Sequence, residues 1–399
     1  MSEAFSSSNP ARWTWIAPRQ VLFGWGRREE LGKSLKSTVR RVWIIPGSRR
    51  LSSSPNWQKI QNDLTAEGID IEYLPTISHE PLTTDVDQAI WEIRKRGIHP
   101  GDAILAIGGG SALDLGKAVA GLAPQSGFET VVDYLEGVGS GRRLTEPGLP
   151  FVAMPTTAGT GSEATHNAVI SSLEPTYKKS LRSPDLVADL VVIDPELTVT
   201  SPREITIWCG MDALTQLLES LISCRATPLT QKLALEGLTD FPEMLLRVAE
   251  CPLDQSARER LAYGAYLSGL TLANGGLGIA HGIAAALGIQ SQTPHGLACA
   301  MLLPLALRLN FESSIDRLSS VGRLWDRFSD ESDREAATSV LKTVDRLLAE
   351  LQIPQNLGEL GIKQTQISGL VIGSRGNSRN GNPIPLDDEV IHRELERML

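Results

Sequence analysis

A glycine turn near residue 108 has the composition of a phosphate-binding loop. Residues 103–117 begin with an apolar run typical of a buried strand, pass through Gly108-Gly109-Gly110-Ser111, and end in an apolar stretch typical of a helix. Backbone amides at such a helix start can bind phosphate oxygens, assisted by the helix dipole. Leu113 stands where a GxGxxG fingerprint has its last glycine, so a tight turn that binds nothing is the alternative interpretation.

A second polar segment, residues 154–165, follows another apolar run from Phe151 to Ala153. It crowds glycines and hydroxyl side chains together in the order Met-Pro-Thr-Thr-Ala-Gly-Thr-Gly-Ser-Glu-Ala-Thr. Taken by itself, this segment can be a polar turn in which Thr160 or Ser162 caps a helix.

Together the two segments, GGGS and PTTAGTGSE, resemble the nicotinamide dinucleotide site of the iron-containing alcohol dehydrogenase family, within the dehydroquinate synthase-like superfamily. The resemblance extends from Val21-Leu22-Phe23-Gly24 to Asn382-Pro383. It implies cofactor contacts around the pyrophosphate from Gly108, Gly109, Gly110, Ser111 and Asp114, and contacts to the rest of the cofactor from Thr156, Thr157, Thr160, Asn167 and Lys178.

The loop after the first apolar strand bears on the choice of cofactor. Val42 to Ile45 is followed by Pro46-Gly47-Ser48-Arg49-Arg50, and NAD-preferring members of the family carry an Asp where this chain has Gly47. No carboxylate is present here, whereas Ser48 and Arg49 offer the hydrogen bonds and positive charge that a 2′-phosphate needs. The sequence therefore predicts NADP(H) in preference to NAD(H), and a solvated basic loop is the alternative.

The resemblance also implies a metal site in the second half of the chain. Asp212 and Gln216 are four residues apart and share one helical face, where the family pattern is D-A-L-T-H. His281 and His295 match the family's two later histidine ligands, with the expected spacing of 14. Because a carboxylate and two neutral imidazoles suit Fe(II) or Zn(II), we expect one divalent metal acting as a Lewis acid on an alcohol or carbonyl oxygen.

Two positions depart from the family pattern. Gln216 replaces a histidine ligand, and its amide can bind the metal weakly, leave the position to water or turn away. Ala285 stands where the family usually has a histidine that relays a proton from the alkoxide. Without that group the proton must pass through water or the ribose hydroxyls, because general acid catalysis ordinarily contributes about a hundredfold or more.

A polar loop near the C-terminus resembles the family's substrate side. Arg375, Arg379 and Asn380 lie within Ser-Arg-Gly-Asn-Ser-Arg-Asn-Gly-Asn-Pro, where donors and positive charge can form a cradle for an anion. The pattern is similar to that of the branch that reduces phosphonoacetaldehyde. We therefore expect an anionic aldehyde as one substrate class, with a merely solvated loop as the alternative.

The arrangement of apolar segments indicates what positions these residues. Short apolar runs alternate with amphipathic stretches up to about residue 195, which predicts a parallel α/β domain. After Asp194-Pro195 the chain is rich in Leu, Ala and Glu and is punctuated by prolines, which predicts helices only. With 399 residues, two domains are expected: an α/β dinucleotide-binding domain at 1–197 and an all-helical metal and substrate domain at 198–399.

Composition excludes other classes of function. The net charge of −9 argues against nucleic-acid binding, since such binding depends on Lys and Arg. No apolar run reaches the roughly 18 residues of a membrane helix, and the N-terminal segment has the serines and polar residues that a signal peptide lacks. The four cysteines form no CxxC pair, which indicates reduced thiols. We expect a cytoplasmic protein, and the resemblance implies a homodimer.

The function favoured by the sequence is reversible hydride transfer between a nicotinamide cofactor and a small alcohol or aldehyde. A second enzyme class is a metal-independent reductase like the maleylacetate reductases, which share the scaffold without the full ligand set. A third possibility, motivated by Gln216 and Ala285, is a nucleotide-binding protein without turnover.

Overall fold

A parallel β-sheet organises the first half of the described chain. The structure is a computed structural model that describes residues 12–326 and 332–399. The strands are β1 (Gln20–Phe23), β2 (Arg41–Pro46), β3 (Asp70–Tyr73), β4 (Asp102–Gly108), β5 (Phe151–Pro155), β6 (Asn167–Leu173), β7 (Thr176–Arg182) and β8 (Leu190–Ile193). Six of these described strands form one sheet in the order β1-β8-β5-β4-β2-β3, and every neighbouring pair is parallel.

The sheet is covered on both faces, as near-continuous apolar strands require. In β2 the side chains alternate between the two covering layers: Trp43 and Ile45 belong to one apolar cluster, and Val42 and Ile44 to the other. Every residue of the central strand β4 is buried. The predicted strands at 42–45, 69–74, 103–107, 151–153 and 190–193 are all confirmed, and so is the parallel arrangement.

Helices connect these strands and make up the second half of the chain. The first five are α1 (Leu31–Leu35), α2 (Arg49–Ser52), α3 (Pro55–Ala66), α4 (Thr83–Arg96) and α5 (Gly110–Leu122). The next ten are α6 (Arg203–Ile222), α7 (Pro228–Leu238), α8 (Phe241–Glu250), α9 (Gln255–Gly275), α10 (Ile279–Ser291), α11 (His295–Asn310), α12 (Ile315–Asp326), α13 (Asp333–Glu350), α14 (Gln364–Gly373) and α15 (Asp388–Glu396). The described residues after β8 contain no strand, so the predicted helical second half is confirmed.

Helix α6 lies at the centre of the helical half. Every residue from Gly210 through Ile222 is buried, as expected of a helix surrounded by other elements. Its neighbours include α7, α9 and α11. The polar side chains in this stretch must therefore find partners inside the protein, because an unpaired buried polar group is costly.

An antiparallel hairpin of β6 and β7 was not anticipated from the sequence. Its first strand alternates between buried and partly exposed residues, which is the period of a half-covered strand. The hairpin packs against α5. Asn167, the first residue of β6, thereby lies beside α5, where its backbone oxygen accepts a hydrogen bond from Lys117.

The described residues contain no single helix long and apolar enough to cross a membrane. One pair, α9 with α10, reaches that length and composition only across a bend of 102°.

Candidate metal and dinucleotide site

Four side chains from three helices converge in the helical half. Asp212 lies on α6, His281 on α10, and His295 and Cys299 on α11, and one ligand atom of each lies within 4.8 Å of the others. Asp212 Oδ1 is 3.3 Å from His281 Nε2 and 3.9 Å from His295 Nε2. Cys299 Sγ is 3.6 Å from His295 Nε2. The predicted trio is thus brought together, and Cys299 joins it.

The local structure explains this convergence. His281 is the third residue of α10 and His295 the first residue of α11, so both imidazoles project from the N-terminal turn of their helix. Cys299 lies four residues after His295, one helical turn further along the same face. Asp212 faces both from the buried stretch of α6.

Glu219 orients His281 and was missed in the sequence analysis. Its carboxylate accepts a hydrogen bond of 2.7 Å from His281 Nδ1 and another of 2.7 Å from the backbone N–H of Ala280. With Nδ1 bound to Glu219, Nε2 is the ring nitrogen that faces Asp212, and once the imidazole is neutral its lone pair lies on Nε2. The spacing of seven between Asp212 and Glu219, two helical turns, was the sequence signal that could have found it.

Electrostatics favour a cation between these groups. Burial lowers the pKa of His295 to about 4, so its imidazole is neutral at pH 7 and has a free lone pair. Burial opposes ionisation of Asp212, but the hydrogen bond from His281 and the charges and hydrogen bonds of His295, His281 and Cys299 together outweigh it and lower the pKa of Asp212. For His281, burial is outweighed by Cys299, Asp212 and Glu219, which raise its pKa. Burial raises the pKa of Cys299 to about 12, so without a metal it is a thiol.

The donor set fits a divalent transition metal. Carboxylate oxygen, imidazole nitrogen and cysteine sulfur are the ligand types of zinc, and imidazole with carboxylate also suits iron. Asp212 is only 1% exposed, and the buried Nδ1 of His295 has no hydrogen-bond partner among the described residues. A bound cation would offset the cost of burying this carboxylate.

Both polar atoms of the Gln216 side chain have hydrogen-bond partners within the protein. Its Nε2 donates to the backbone oxygen of Thr160 at 3.3 Å, and its Oε1 accepts a 2.6 Å hydrogen bond from Ser268 Oγ. The side chain therefore joins α6 to the polar loop after β5 and to α9. Its role as a metal ligand stays a prediction, since an amide oxygen has a second lone pair.

The glycine turn lies at the carboxyl edge of the sheet, where β2, β4 and β5 are neighbours. A Cβ placed on Gly47 would lie 2.6 Å from Gly108 Cα, so the loops after β2 and β4 can touch only because both residues are glycine. Helix α5 begins after Gly109 without a capping side chain. Its first backbone N–H groups, including those of Gly110 and Ser111, are thus available to an anion.

Asp114 has its own partners within the protein. Its carboxylate accepts hydrogen bonds from Ser162 Oγ at 2.5 Å and from Val169 N at 2.9 Å, and pairs with Lys117 Nζ at 2.9 Å. Lys117 is buried and also donates to Thr165 Oγ1 at 2.8 Å. These contacts fasten α5 to the polar loop and the hairpin. Direct contact between Asp114 and a cofactor stays a prediction.

The other predicted cofactor residues lie in the polar loop after β5 and in the hairpin of β6 and β7. Thr156 follows β5 and donates its backbone N–H to Gly108, and Thr157 and Thr160 continue that loop. Asn167 begins β6, and its backbone oxygen accepts a hydrogen bond from Lys117. Lys178, on β7, is bound to Glu80 by a 2.6 Å ion pair.

The polar loop contacts the metal helix directly. A Cβ on Gly159 would lie 2.5 Å from Cys209 Cβ, so the loop packs tightly on α6. Cys209 precedes Asp212 by three residues, and Gln216, bonded to Thr160, follows it by four. The loop predicted to hold the nicotinamide cofactor and the helix predicted to hold the metal are therefore in contact around Asp212.

The basic loop after β2 forms the short helix α2. Ser48 Oγ accepts a hydrogen bond from Leu51 N, which caps that helix. The exposed Arg50 donates to the backbone oxygen of Thr200 at 3.2 Å. The side chain of Arg49, predicted to contact the cofactor, lies outside what the structure describes.

The two arginines of the predicted substrate loop are already paired. Arg375 and Arg379 both bind the carboxylate of Asp388 at the start of α15. Arg379 is 13% exposed and also donates to Ser374 Oγ, whereas Asn380 is exposed. Asp388, which was not among the predicted site residues, thus balances one of these two positive charges.

Comparisons with known proteins agree across nearly the whole chain. Residues 18–195 match the family model described as iron-containing alcohol dehydrogenase, and residues 206–399 match the model of that family's C-terminal part. Long-chain-alcohol dehydrogenase 1 of Geobacillus thermodenitrificans is 32% identical over 366 residues, 91% of each chain.

Two solved structures have the same fold as this chain. A 1,3-propanediol oxidoreductase superposes with a TM-score of 0.90 at 26% identity, covering 97% of this chain and 100% of the other. A sulfoacetaldehyde reductase from Bifidobacterium kashiwanohense, in complex with NAD+, gives a TM-score of 0.87 at 25% identity, covering 97% and 98%. The expected combination of an α/β domain with a helical domain is confirmed.

Glu163, in the polar loop, generates a prediction about stability. It is 4% exposed, and burial raises its pKa to about 7, although a backbone hydrogen bond and Lys117 oppose the shift. The folded protein therefore keeps Glu163 protonated between pH 4.5 and about 7, where the unfolded chain ionises it. Stability is lost as the pH rises through that window, because the unfolded state binds fewer protons.

We predict that Glu163→Gln removes this loss. The free energy of unfolding of the variant relative to the parent should rise by on the order of 3 kcal/mol between pH 4.5 and pH 8, at about 1.4 kcal/mol per pKa unit. Urea unfolding at both pH values measures it. Glu359→Gln, at an exposed glutamate, serves as the control and should show no such rise. A difference between Glu163→Gln and the parent that does not change with pH would contradict the assignment.

Proposed function

We propose that this chain, an alcohol and aldehyde oxidoreductase that belongs to the iron-containing alcohol dehydrogenase family, catalyses metal-assisted, reversible hydride transfer between NADPH and a small aldehyde. The observation that carries the proposal is the contact around Asp212. Three donor side chains from α6, α10 and α11 converge there, and the same stretch of α6 is packed against the polar loop beside the glycine turn. Metal and nicotinamide would thus meet at one place.

Asp212, His281 and His295 would hold one divalent metal, Fe(II) or Zn(II). When bound, the metal supplies Lewis acidity toward the substrate oxygen, and the nicotinamide accepts or supplies the hydride. Glu219 keeps Nε2 of His281 directed inward by accepting the Nδ1 proton. Gly109 and the uncapped start of α5 would bind the cofactor phosphates. The contact between Gly47 and Gly108 keeps the loops after β2 and β4 close together beside that helix start.

The proton that accompanies the hydride has no side-chain relay at position 285. Ala285 lies one turn after His281 on α10 and carries no titratable group. We infer that the proton passes through water or the cofactor ribose hydroxyls. The cost of losing general acid catalysis is about a hundredfold in rate unless that route replaces it.

The preference for NADPH is supported by the loop at 47–50, which contains no carboxylate. Gly47 has no room for a Cβ, so an acidic side chain at that position would require a backbone shift. The exposed Arg50 beside it donates one hydrogen bond to the backbone oxygen of Thr200, and its other N–H groups would be the ones to bind a 2′-phosphate. The similar sulfoacetaldehyde reductase is in complex with NAD+, so the fold by itself does not exclude NAD(H), and the proposed preference rests on the loop.

An anionic aldehyde is the substrate class that we propose to test first. The similar sulfoacetaldehyde reductase acts on one by its name, and this chain has two arginines in the loop predicted to face the substrate. Since Arg375 and Arg379 are both bound to Asp388, an anion such as phosphonoacetaldehyde would have to compete with that carboxylate. Simple aliphatic aldehydes are the competing class.

The remaining assignments follow from the family. We place the domain boundary at residue 197 and propose a homodimer in the cytoplasm. The four cysteines are all free, which suits a reducing compartment.

Removing the metal should abolish turnover. We predict that chelation stops NADPH oxidation with an aldehyde, that Zn(II) or Fe(II) restores it, and that His281→Ala lowers kcat about a thousandfold or more, because Lewis-acid stabilisation contributes several kcal/mol. The control is His392→Ala, which should retain activity. His392 lies on α15, far from the cluster in sequence, and pairs with Glu396. Activity that survives chelation supports the metal-independent reductase, whereas cofactor binding without turnover supports a nucleotide-binding protein.

Cofactor choice gives another prediction. Arg50→Ala should raise KM for NADPH about tenfold and leave KM for NADH unchanged, since one charge-assisted hydrogen bond contributes roughly 1.5–3 kcal/mol. Arg346→Ala, at an exposed arginine of α13, is the matched control. Equal effects on both cofactors, or a parent enzyme that prefers NADH, would count against NADPH.

For the substrate, we predict that phosphonate- or sulfonate-bearing aldehydes have a higher kcat/KM than aliphatic aldehydes of similar length. Arg375→Ala should remove that advantage while leaving the aliphatic rate unchanged. If the anionic compounds are no better in the parent enzyme, the anionic class is excluded.

A further inference from the structure

The cluster around Asp212 contains one donor that the family pattern does not include. Cys299 is fully buried on α11, one helical turn after His295, and its sulfur belongs to the group of four ligand atoms within 4.8 Å of one another. At the position where the family has a histidine, the chain has Gln216, whose oxygen is bonded to Ser268 and whose nitrogen is bonded to Thr160. The site thus lacks one imidazole and has gained one thiol.

We propose that Cys299, rather than Gln216, supplies the fourth protein ligand of the metal. The inference rests on the proposed function, because it assumes that a divalent metal binds to Asp212, His281 and His295. On binding, the sulfur–hydrogen bond is exchanged for a sulfur–metal bond and the proton leaves to solvent, as a bound cation deprotonates a coordinating thiol outright.

Two of the six distances between the four donor atoms equal the edges of a tetrahedral zinc site, and all six lie within 4.8 Å. With zinc–sulfur bonds of about 2.3 Å and zinc–nitrogen or zinc–oxygen bonds of about 2.0–2.1 Å, a tetrahedron has sulfur–nitrogen edges of about 3.6 Å and nitrogen–oxygen edges of about 3.3 Å. Cys299 Sγ lies 3.6 Å from His295 Nε2, and His281 Nε2 lies 3.3 Å from Asp212 Oδ1. The distance from His295 Nε2 to Asp212 Oδ1 is 3.9 Å, which is longer than the ideal nitrogen–oxygen edge.

A buried cysteine is often only a small apolar residue, and α11 has a mostly apolar sequence in which one would fit. Cys299 belongs to the apolar core of the helical half, but its sulfur also lies within 4.8 Å of donor atoms of two imidazoles and a carboxylate. Among the four cysteines it is the one that belongs to a cluster of metal-binding side chains in the described residues.

The exchange has a consequence for metal selection. A thiolate is a soft ligand, and replacing imidazole by thiolate shifts preference towards zinc. Four protein ligands still leave room for the substrate, since zinc sites expand to five-coordinate during catalysis. We therefore expect purified protein to retain zinc in preference to iron.

X-ray absorption at the zinc edge tests the proposal directly in the parent protein. We expect one sulfur scatterer at about 2.3 Å together with nitrogen and oxygen scatterers at about 2.0 Å. The cobalt(II)-substituted protein should show a sulfur-to-cobalt charge-transfer band in the near ultraviolet. Cys299→Ser should lose that band, whereas Cys251→Ser, at an exposed cysteine, should keep it.

Metal affinity gives a second readout that does not depend on activity. Cys299→Ser should weaken zinc binding at least about tenfold, because even outer-shell partners of a metal contribute ten- to a hundredfold. Gln216→Ala should keep the sulfur scatterer and bind zinc more tightly than Cys299→Ser does. Circular dichroism and thermal melting of the metal-free variants verify that each one folds.

The outcomes separate the two proposals. Zinc bound only by nitrogen and oxygen, or a charge-transfer band that persists in Cys299→Ser, overturns the role of Cys299 while metal-assisted hydride transfer stands. Protein that binds no divalent metal overturns the proposed function, and the ligand assignment with it.

Discussion

The structure depends on the complete burial of α6 between Gly210 and Ile222. A helix enclosed on all sides can carry polar groups only where neighbours satisfy them. Asp212 is met by His281, Gln216 by Thr160 and Ser268, and Glu219 by the first turn of α10. These contacts fix the position of α10 and of the polar loop after β5. The site is therefore assembled by the same hydrogen bonds that make the core of the helical half possible.

A second constraint is the close approach of loops at the carboxyl edge of the sheet. Gly47 and Gly108 touch through their backbones, and Gly159 lies against Cys209 on α6. Because no side chain intervenes, the uncapped start of α5 lies near the loop that packs on α6. Asp114 and Lys117 fasten α5 to that loop with buried hydrogen bonds. The glycine turn and the cluster around Asp212 are thereby linked through the polar loop without any long connecting segment.

The hydrogen bonds of α6 also account for the residue that departs from the family pattern on this helix. Gln216, where the family pattern has a histidine, joins α6 to the polar loop, and the sulfur of Cys299 lies within 4.8 Å of donor atoms of Asp212, His281 and His295. The paired charges on Arg375 and Arg379 illustrate the same point, since a neighbouring carboxylate decides whether an arginine is free for a ligand. In each case the role of a residue follows from its partners.

The sequence by itself determined the fold class, because apolar runs of strand length and a glycine turn after residue 107 are local patterns. It also determined that Asp212, His281 and His295 belong together, through the family resemblance. It did not identify Glu219, Cys299 or Asp388, nor show which way the Gln216 amide points. These depend on contacts between segments tens or hundreds of residues apart, whose distances only the packing of α6, α10, α11 and α15 sets. Local periodicity carries no information about which buried polar groups meet.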